Sequence, residues 1–356
     1  MKILYGIQGT GNGHLTRARA LVPALRKANI DMDFVFSGRP REDFFDMEVF
    51  GDDYRCFSGL SLVTEKGQLK TFRTVAENKL GEFIKDIKSL SLDDYDLVLS
   101  DFEPVTAWAA KVKGKASIGI SHQCAFFHDI PKVPGYPLAR LLMNIFAPVS
   151  IKIGLHWHHF DQPILPPLIE PHQVKPVIPD KILVYMGFET IEDITRFLSP
   201  FKNYQFIVYA KVDSIQHYDN ITVKPLSTTF HQDLEDAAGV ISNAGFELAS
   251  ECLQLGKKLL IKPLLGQYEQ LSNALALQQL GRATVMYSLD NHLLEKWLLE
   301  SANEPIAYPD TATHLAQWLA NGDWNNTDSL KETLWKDVNL GAVEKQAFPG
   351  SKTLTA

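Results

Sequence analysis

Short apolar runs that alternate with amphipathic helical segments, twice over, constrain the fold of this chain more than any other feature. Strand-like runs cover residues 2–7, 32–38, 96–101 and 116–121, with helical patterns between them, and the same alternation restarts at Lys181. Strands separated by helices pair in parallel and form doubly wound sheets. The sequence therefore predicts an α/β protein with two Rossmann-like parallel-sheet domains that face each other across a cleft.

Proline content marks the predicted domain boundary. Residues 162–180 hold six prolines in nineteen positions, a composition that interrupts helices and central strands alike. A chain of 356 residues is also long enough for two domains. We therefore predict a first domain over 1–160, a linker over 161–180 and a second domain over 181–321. The polar segment 322–356 is expected to return to the first domain.

Composition excludes several classes of protein. Hydrophobic residues at 45% and charged residues at 22% are typical of a globular protein, and a net charge of −7 argues against a general nucleic-acid partner. The three cysteines, Cys56, Cys124 and Cys252, are too far apart for a CxxC pair and indicate a reducing compartment. With no signal peptide and no long apolar run in the sequence, we expect a cytoplasmic protein.

The first predicted strand runs into a glycine-rich loop, Gly9-Thr10-Gly11-Asn12-Gly13-His14, that opens a helix. Such a loop presents free backbone N–H groups to an anion. It departs from the dinucleotide fingerprint because His14 replaces the third glycine, and it lacks the Gly-Lys-Ser/Thr of a P-loop. A ligand site built from Gly11, Asn12 and Gly13 and a purely structural turn both remain open.

Two polar residues on the first domain are candidates for proton transfer. His14 is predicted at the mouth of the sheet, where an imidazole can accept a proton near neutral pH. Asp101 ends a strand at the edge where ligands bind in such sheets. Asp101 can orient His14 or meet an acceptor, and it can equally cap the helix that Pro104 begins. His122-Gln123 is expected at the same rim.

The second domain carries two neighbouring loops with complementary polar residues. Asn243-Ala244-Gly245 precedes a helix that begins near Phe246, and Glu251 lies farther along that helix, where a carboxylate can accept both hydroxyls of a ribose. The next loop and helix start add donors and acceptors that suit sugar hydroxyls: Gly266, Gln267, Glu269, Gln270 and Asn273. The alternative is that these residues are simply the solvated starts of two helices.

At residues 9–17 and 242–281 the chain resembles the nucleotide-sugar glycosyltransferases of the GT-B fold. It is similar to the family of the undecaprenyl-diphospho-muramoylpentapeptide N-acetylglucosaminyltransferase. The resemblance implies transfer of a hexosyl or N-acetylhexosaminyl group from a nucleotide sugar, expected to be a UDP-sugar, to a hydroxyl acceptor. The chain departs from the family at Ala244, where relatives carry a glycine, and at Leu248, where many carry a hydroxyl.

The resemblance also implies roles for individual residues. Gly187 and Gly245, with the N–H groups that follow Gly245, would hold the diphosphate, and Glu251 would hold the ribose. Glu269 and Gln270 would hold the transferred sugar, with Asn273 supporting them. The glycine loop would face the diphosphate and the acceptor, with His14 placed to deprotonate the acceptor.

The mechanism expected from the resemblance is inverting and needs no metal or other cofactor. The paired glutamates of retaining relatives are absent, because Leu255 and Leu259 stand eight positions after Glu247 and Glu251. Asp31-Met32-Asp33, which matches the Asp-x-Asp pattern of metal-dependent transferases, is predicted to lie away from the cleft. A nucleotide-sugar 2-epimerase and a non-catalytic nucleotide-sugar-binding protein remain as alternatives.

The interval 130–160 has no acidic residue in a chain of net charge −7. It combines basic side chains with a run of large apolar ones: Lys132, Arg140, Lys152, Leu138, Leu141, Leu142, Met143, Ile145 and Phe146. This combination can rest on an anionic bilayer and bring the cleft to a lipid-linked or cell-envelope acceptor. The alternative is a buried helix and strand that join the domains.

Overall fold

Two seven-stranded sheets organise the chain. The computed structural model describes residues 1–60, 64–65, 68–69, 80–173, 175–226 and 229–340. The first sheet has the order β3-β2-β1-β6-β7-β8-β9 with every pair parallel, and a small hairpin, β4-β5, stands apart from it. These strands are β1 Lys2–Gln8, β2 Asp31–Ser37, β3 Arg55–Phe57, β4 Thr64–Glu65, β5 Gln68–Leu69, β6 Leu97–Asp101, β7 Ser117–Ser121, β8 Ile151–Leu155 and β9 Ile164–Leu165.

The second sheet repeats the design. Its order is β12-β13-β11-β10-β14-β15-β16, and only the β12-β13 pair is antiparallel. Its strands are β10 Ile178–Tyr185, β11 Gln205–Ala210, β12 Gln216–Tyr218, β13 Ile221–Pro225, β14 Ala237–Asn243, β15 Lys258–Lys262 and β16 Thr284–Val285. The predicted alternation of strands and helices in two parallel sheets is confirmed.

Helices connect the strands of both sheets. The first half contains α1 Asn12–Lys27, α2 Leu80–Ser89, α3 Pro104–Lys113, α4 His122–Ala125 and α5 Ala139–Phe146, with 3-10 turns at Arg41–Asp43 and Glu48–Phe50. The second half contains α6 Ile191–Leu198, α7 Thr229–Asp236, α8 Phe246–Gln254, α9 Tyr268–Gln279, α10 Asn291–Leu298, α11 Thr311–Asn321 and α12 Asp328–Trp335.

Helix α1 begins three residues earlier than its apolar pattern predicts. Gly11 has an extended backbone and occupies the N-cap position, so Asn12 and Gly13 already belong to the first helical turn. The apolar face is buried as its spacing requires, with Leu15, Leu21 and Leu25 fully inaccessible to solvent. The glycine loop is therefore shorter than predicted, and its Asn12 and Gly13 carry unpaired N–H groups of a helix N-terminus.

The proline-rich segment is less of a free linker than the sequence predicts. Ile164 and Leu165 are buried and form β9, the edge strand of the first sheet. Pro179 lies within β10, where the pairing with β14 shifts register between Ile178 and Ile182. Proline is tolerated at both places because an edge strand and an irregular strand start each leave ladder positions without a partner.

The end of the described chain contacts the first half. Helix α11 packs against α1, the Tyr308 hydroxyl donates to the Trp157 carbonyl at 3.0 Å, and the Trp335 indole donates to the Ile164 carbonyl at 2.7 Å. The return to the first half thus begins near Tyr308, earlier than residue 322. Residues 341–356 of that predicted segment lie outside the described residues.

Trp157 lies where the two halves meet. Its side chain is fully buried, its indole N–H donates to Ser250 Oγ at 2.9 Å, and its ring lies 5.0 Å from that of Phe246 in α8. Phe246 in turn stacks on His122 of the first half at 4.0 Å. Aromatic packing therefore joins the carboxyl edge of the first sheet to α8 of the second.

We expect Trp157→Ala to lower the free energy of unfolding by about 3–5 kcal/mol, because it leaves a large cavity at this junction. The measurement is chemical unfolding followed by fluorescence and circular dichroism. Leu299→Ala is the control, since Leu299 is 80% exposed and its truncation should change stability by no more than about 0.5 kcal/mol. Equal effects of the two substitutions would contradict the packing described here.

Candidate active site

A buried arginine holds the two halves together. Arg17 of α1 is 2% exposed and donates from Nε to Asp101 Oδ2 at 2.7 Å and from Nη2 to Asp101 Oδ1 at 2.5 Å. Its third nitrogen, Nη1, donates to Glu247 Oε1 in the first turn of α8. Gly13 makes this approach possible, because a Cβ there would lie 2.9 Å from Glu247 Cγ. The glycine loop therefore meets α8 directly.

The Arg17 guanidinium lies between two buried carboxyl groups and determines which of them is ionised. Arg17 and His14 outweigh the effect of burial on Asp101 and hold its pKa below the ordinary value. Burial raises the pKa of Glu247 to about 8, against the opposing effect of Arg17. Asp101 is accordingly the ionised partner of Arg17, and Glu247 is protonated at neutral pH. Arg17, Asp101 and Glu247 together then carry no net negative charge.

His14 is held by Asp101. Nδ1 of His14 lies 2.7 Å from Asp101 Oδ1 and 2.9 Å from Arg17 Nη2. Because a carboxylate only accepts and a guanidinium only donates, Nδ1 can bond one of them, and donation to Asp101 leaves Nε2 unprotonated. The side chain is 13% exposed and its ring is parallel to that of Phe102. This arrangement can serve a general base.

The alternative role of Asp101 as a helix cap is wrong. Glu103 caps α3 instead, accepting from the backbone N–H of Val105 at 2.8 Å and of Thr106 at 2.6 Å. Asp101 ends β6 one residue before Phe102, whose positive φ of 52° turns the chain away from the strand. Asp101 is thereby free to contact Arg17 and His14.

The predicted phosphate site lies at the start of α8. Gly245 is the N-cap of α8, with an extended backbone and open space around its Cα, and Gly187 after β10 is equally open. Ala244 is buried, and Asn243 donates from Nδ2 to the Lys262 carbonyl while its Oδ1 has no hydrogen-bond partner among the described residues. Phe246 packs on His122, which leaves its N–H rather than its ring for the site.

The predicted sugar-binding residues are engaged across the junction. Gln123 Nε2 donates to both oxygens of Glu269, at 3.0 and 3.1 Å. Asn273 donates to the Ala244 carbonyl at 3.0 Å, and its Oδ1 lies 2.7 Å from His122 Nε2. His122 and Gln123 thus lie at the rim where the sequence places them and contact the second domain.

The other two polar residues of this loop lie beside Glu269. Gln270 accepts the backbone N–H of Leu264 at 2.8 Å, which closes the loop before α9. Gln267 is the N-cap of α9, and Gly266 before it has a positive φ of 81° that suits glycine. In this arrangement the Glu269 carboxylate faces the first domain, where it accepts from Gln123.

Glu251 lies in a second buried cluster. Its side chain is 6% exposed, and His172 and His231 lie 3.6 and 4.0 Å from its Oε2. Burial, reinforced by Glu170 and Glu247, raises the pKa of Glu251 well above its ordinary value. Burial also lowers the pKa of His172 to about 4, with His231 contributing. Among the described residues this is the one group of three whose ligand atoms are close enough for a metal ion.

Sequence reasoning missed several of these residues. Arg17 follows His14 by three positions, the spacing of neighbours on one helix face, and that spacing is the signal that could have identified it. Glu247 entered the sequence argument only as half of an absent glutamate pair. His172 lies in the proline-rich segment and His231 near a helix start, and no local pattern connects either one to Glu251.

The comparison with protein families identifies the chain's relatives. The sequence model described as Glycosyl transferase family 1 matches residues 1–301. The chain belongs to this family. No curated protein matches the chain.

Solved structures of other glycosyltransferases share the fold. The glycotransferase of kitacinnamycin is 13% identical, with coverage of 95% of this chain and 99% of that one and a TM-score of 0.59. SsfS6 from Streptomyces sp. SF2575, complexed with thymidine diphosphate, is 14% identical, with 90% and 95% coverage and a TM-score of 0.58. MurG from Acinetobacter baumannii is 13% identical, with 94% and 100% coverage and a TM-score of 0.52. The predicted GT-B architecture is confirmed, and MurG is one of several such neighbours.

We expect Glu247→Gln to retain the stability of this glycosyltransferase at pH 7, because a neutral glutamine can still accept from Arg17. Arg17→Met should lower the free energy of unfolding by about 3 kcal/mol or more, since it leaves Asp101 buried without its cation. Thermal unfolding of both variants between pH 5 and 9 provides the measurement.

The pH dependence has a definite sign. In the folded chain Glu247 has a pKa of about 8, above its unfolded value near 4.5, so the folded state keeps a proton that the unfolded state loses. This contribution to stability is complete below about pH 4.5 and is lost as the pH rises through 8. Glu247→Gln should therefore gain on the wild type between pH 6 and 9, and a constant difference would contradict a protonated Glu247.

Proposed function

We propose that this chain is an inverting, metal-independent glycosyltransferase that moves a sugar from a nucleotide-diphosphate sugar to a hydroxyl acceptor. The observation that carries the proposal is the meeting of two helix N-termini at the junction of the sheets. Helix α1 begins at Asn12 and α8 at Phe246, and Arg17 and Glu247 bond across the two helices. Two such termini favour an anion of the size and charge of a diphosphate.

The proposed chemistry assigns one task to each side of the junction. His14 Nε2 accepts the proton of the acceptor hydroxyl while that oxygen attacks the anomeric carbon of the donor. The bond from the anomeric carbon to the phosphate oxygen breaks, and its electron pair leaves with the nucleoside diphosphate. The N–H groups after Gly245 and those of Asn12 and Gly13 stabilise the departing charge without a metal ion. Direct attack on the face opposite the diphosphate inverts the anomeric configuration.

The donor is proposed to be a pyrimidine nucleotide sugar, with a UDP-sugar as the first candidate. SsfS6 holds thymidine diphosphate, and VinC, another neighbour at a TM-score of 0.51, was solved with dTDP. Glu251 is proposed to bind the ribose, and Glu269 with Gln270 the transferred sugar. A relation to MurG within the family would favour an N-acetylhexosaminyl donor.

A 2-epimerase is the second candidate, because a specific feature suits it. Such an enzyme needs several acids and a histidine around the sugar, and the junction gathers Asp101, Glu247 and Glu269 with His14 nearby. A non-catalytic binding protein would need no oriented base. The products distinguish the three functions: a new glycoside, an epimerised donor, or unchanged donor.

The experiment that tests the proposal is a panel of nucleotide sugars in the presence of EDTA. Ligand at 100 times its dissociation constant stabilises the folded protein by about 2.7 kcal/mol, which thermal unfolding detects. Stabilising donors are then assayed for release of nucleoside diphosphate. Activity that disappears in EDTA and returns with magnesium or manganese would contradict metal-independent transfer.

We expect His14→Ala to lower turnover by roughly 10²–10⁴ while donor affinity stays nearly unchanged, as for loss of a positioned general base. Donor affinity is measured by calorimetry and turnover by diphosphate release. His217→Ala, at an exposed position in β12, is the control and should match the wild type. Loss of donor affinity with normal turnover of bound donor would make His14 a binding residue.

We further propose peripheral contact with an anionic membrane through the first domain, which would present a lipid-linked or cell-envelope acceptor to the cleft. Helix α5 contains no buried residue, so the helix of the alternative is not buried, whereas its strand is, because Ile153 and Leu155 of β8 are buried in the first sheet. Three of the apolar side chains of α5 and that of its N-cap residue are about half exposed or more: Leu141, Leu142, Ile145 and Leu138. Trp108 of α3 donates to the Ile145 carbonyl at 2.8 Å and joins α5 to its neighbour.

Two further helices also have exposed apolar side chains. Leu80 and Ile84 of α2 and Val112 of α3 are also exposed, and α2 packs against α3. Among the described residues, no helix has the length and hydropathy needed to cross a bilayer. Exposed leucines on a short helix, with Arg140 beside them, instead suit the interface of a membrane.

We expect the wild type to co-sediment with vesicles that contain phosphatidylglycerol, more weakly as salt rises, because both apolar and electrostatic contacts contribute. Leu142→Glu should lose this binding and keep its fold by circular dichroism. Leu299→Glu, which changes a leucine of the second half that is even more exposed, should bind like the wild type. Indifference of the wild type to these vesicles at low salt would indicate a water-soluble acceptor.

A further inference from the structure

Three separate segments converge on one oxygen of Glu251. Glu251 Oε2 lies 3.6 Å from Nε2 of His172, in the proline-rich segment, and 4.0 Å from Nδ1 of His231, in α7. The ligand atoms of the three side chains all lie within 4.8 Å of one another. Sequence separation is large, so only the fold brings these groups together.

The two most deeply buried members of this cluster have unsatisfied polar atoms. Glu251 Oε2 and His172 Nε2 have no hydrogen-bond partner within the described part of the chain, although their side chains are only 6% and 3% exposed. Buried polar atoms are normally bonded, because leaving them unpaired costs free energy. The two atoms lie 3.6 Å apart, so a single partner bound between them would satisfy both.

The other nitrogen of each histidine faces a second carboxylate. His172 Nδ1 lies 3.9 Å from Glu235 Oε1, and His231 Nε2 lies 3.6 Å from Glu170 Oε2. Glu235 is itself fixed by Lys175 at 2.6 Å. Histidines that bind metals usually have their second nitrogen directed to a carboxylate, which fixes the ring and increases its basicity. Both histidines here have a carboxylate oxygen within 4 Å of that nitrogen, close enough for a small shift to form the bond.

We propose that His172, His231 and Glu251 bind a first-row transition-metal dication, for which Zn²⁺ is the best match. Two imidazole nitrogens and one carboxylate oxygen suit zinc, whereas magnesium and calcium prefer sites made of oxygen. Ligands about 2.1 Å from a tetrahedral zinc ion lie roughly 3.4 Å apart. The observed 3.6 and 4.0 Å separations from Glu251, and a separation of at most 4.8 Å between the two histidine nitrogens, therefore require side-chain shifts that range from a few tenths of an ångström to about 1.4 Å.

The site has an entrance and a free coordination position. The His231 side chain is 37% exposed, so an ion can reach the cluster from solvent on that side. Three protein ligands leave the fourth tetrahedral position for water. The metal would act on donor binding rather than on the chemistry, since it occupies the carboxylate proposed to bind the ribose. This competition rests on the proposed function, whereas metal binding itself does not.

The first experiment titrates Zn²⁺ alone into the metal-free full-length chain by calorimetry. The proposal expects one ion per chain, with Glu251→Gln and His172→Asn each weakening binding at least 100-fold. Glu235→Gln, which changes only the carboxylate behind His172, should weaken binding 10–100-fold. His217→Ala is the matched control and should change nothing. The visible spectrum of the Co²⁺ form should show the intense bands of four-coordinate cobalt.

A chain that remains folded and binds no Zn²⁺, or binds it as well in Glu251→Gln as in the wild type, overturns the metal site. Circular dichroism of each variant ensures that lost binding does not reflect lost folding. His231→Ala provides a second test, because its partly exposed side chain is less critical to packing than His172. Retention of full affinity in both histidine variants equally overturns the proposal.

A second titration separates the metal site from the proposed donor role. Uridine diphosphate is titrated with EDTA and then with Zn²⁺, and the proposal expects weaker nucleotide binding in Zn²⁺. This effect should vanish in His172→Asn, which distinguishes it from chelation of zinc by the nucleotide. Zinc binding without any effect on the nucleotide contradicts the competition and the ribose role of Glu251. Nucleotide binding without zinc binding overturns the metal site alone.

Discussion

The bonding of Arg17 to Asp101 and Glu247 is the interaction on which the rest of the site depends. The Arg17 side chain is only 2% exposed, so water cannot take the place of its carboxylate partners. Asp101 neutralises it from the first sheet, while Glu247 contributes a neutral acceptor from the second. Because a buried cation without partners is very costly, this contact fixes how closely α1 and α8 approach. That approach brings the oriented histidine to the proposed phosphate site.

Because the Arg17 contact holds the two halves close together, polar residues of one half form hydrogen bonds with polar residues of the other. Gln123 bonds Glu269 and His122 lies against Asn273, so residues predicted to bind sugar are held by the first sheet. If Glu269 binds the transferred sugar as we propose, the hydroxyls of the donor replace the hydrogen bonds from Gln123.

Periodicity and strand ends could be predicted, and contacts distant in sequence could not. The alternation of strands and helices identified most central strands and placed Asp101 and Gly245 at the carboxyl edges. The short strands β3, β9 and β12 were not predicted, because three or fewer residues are too few to show an alternating hydrophobic pattern. For Ile164 and Leu165 of β9, the neighbouring prolines also argued against a strand. Arg17 with Glu247, and His172 with Glu251, are pairs separated by 230 and 79 positions, and a single sequence contains no signal for such pairs. The helix cap was a different case: local backbone geometry makes Glu103, and not Asp101, the cap of α3, and the sequence pattern did not distinguish the two.

The measurement that tests the account most directly is proton NMR of a nucleotide sugar that stabilises the protein, incubated with it without any other acceptor. Water then serves as the acceptor, and the sugar is hydrolysed from the donor. The sugar released first, before mutarotation, reports the stereochemistry of the step. The account predicts the anomeric configuration opposite to that of the donor, at a rate strongly reduced in His14→Ala. A released sugar that retains the donor's configuration, or a donor altered at its second carbon with its diphosphate bond intact, would contradict it.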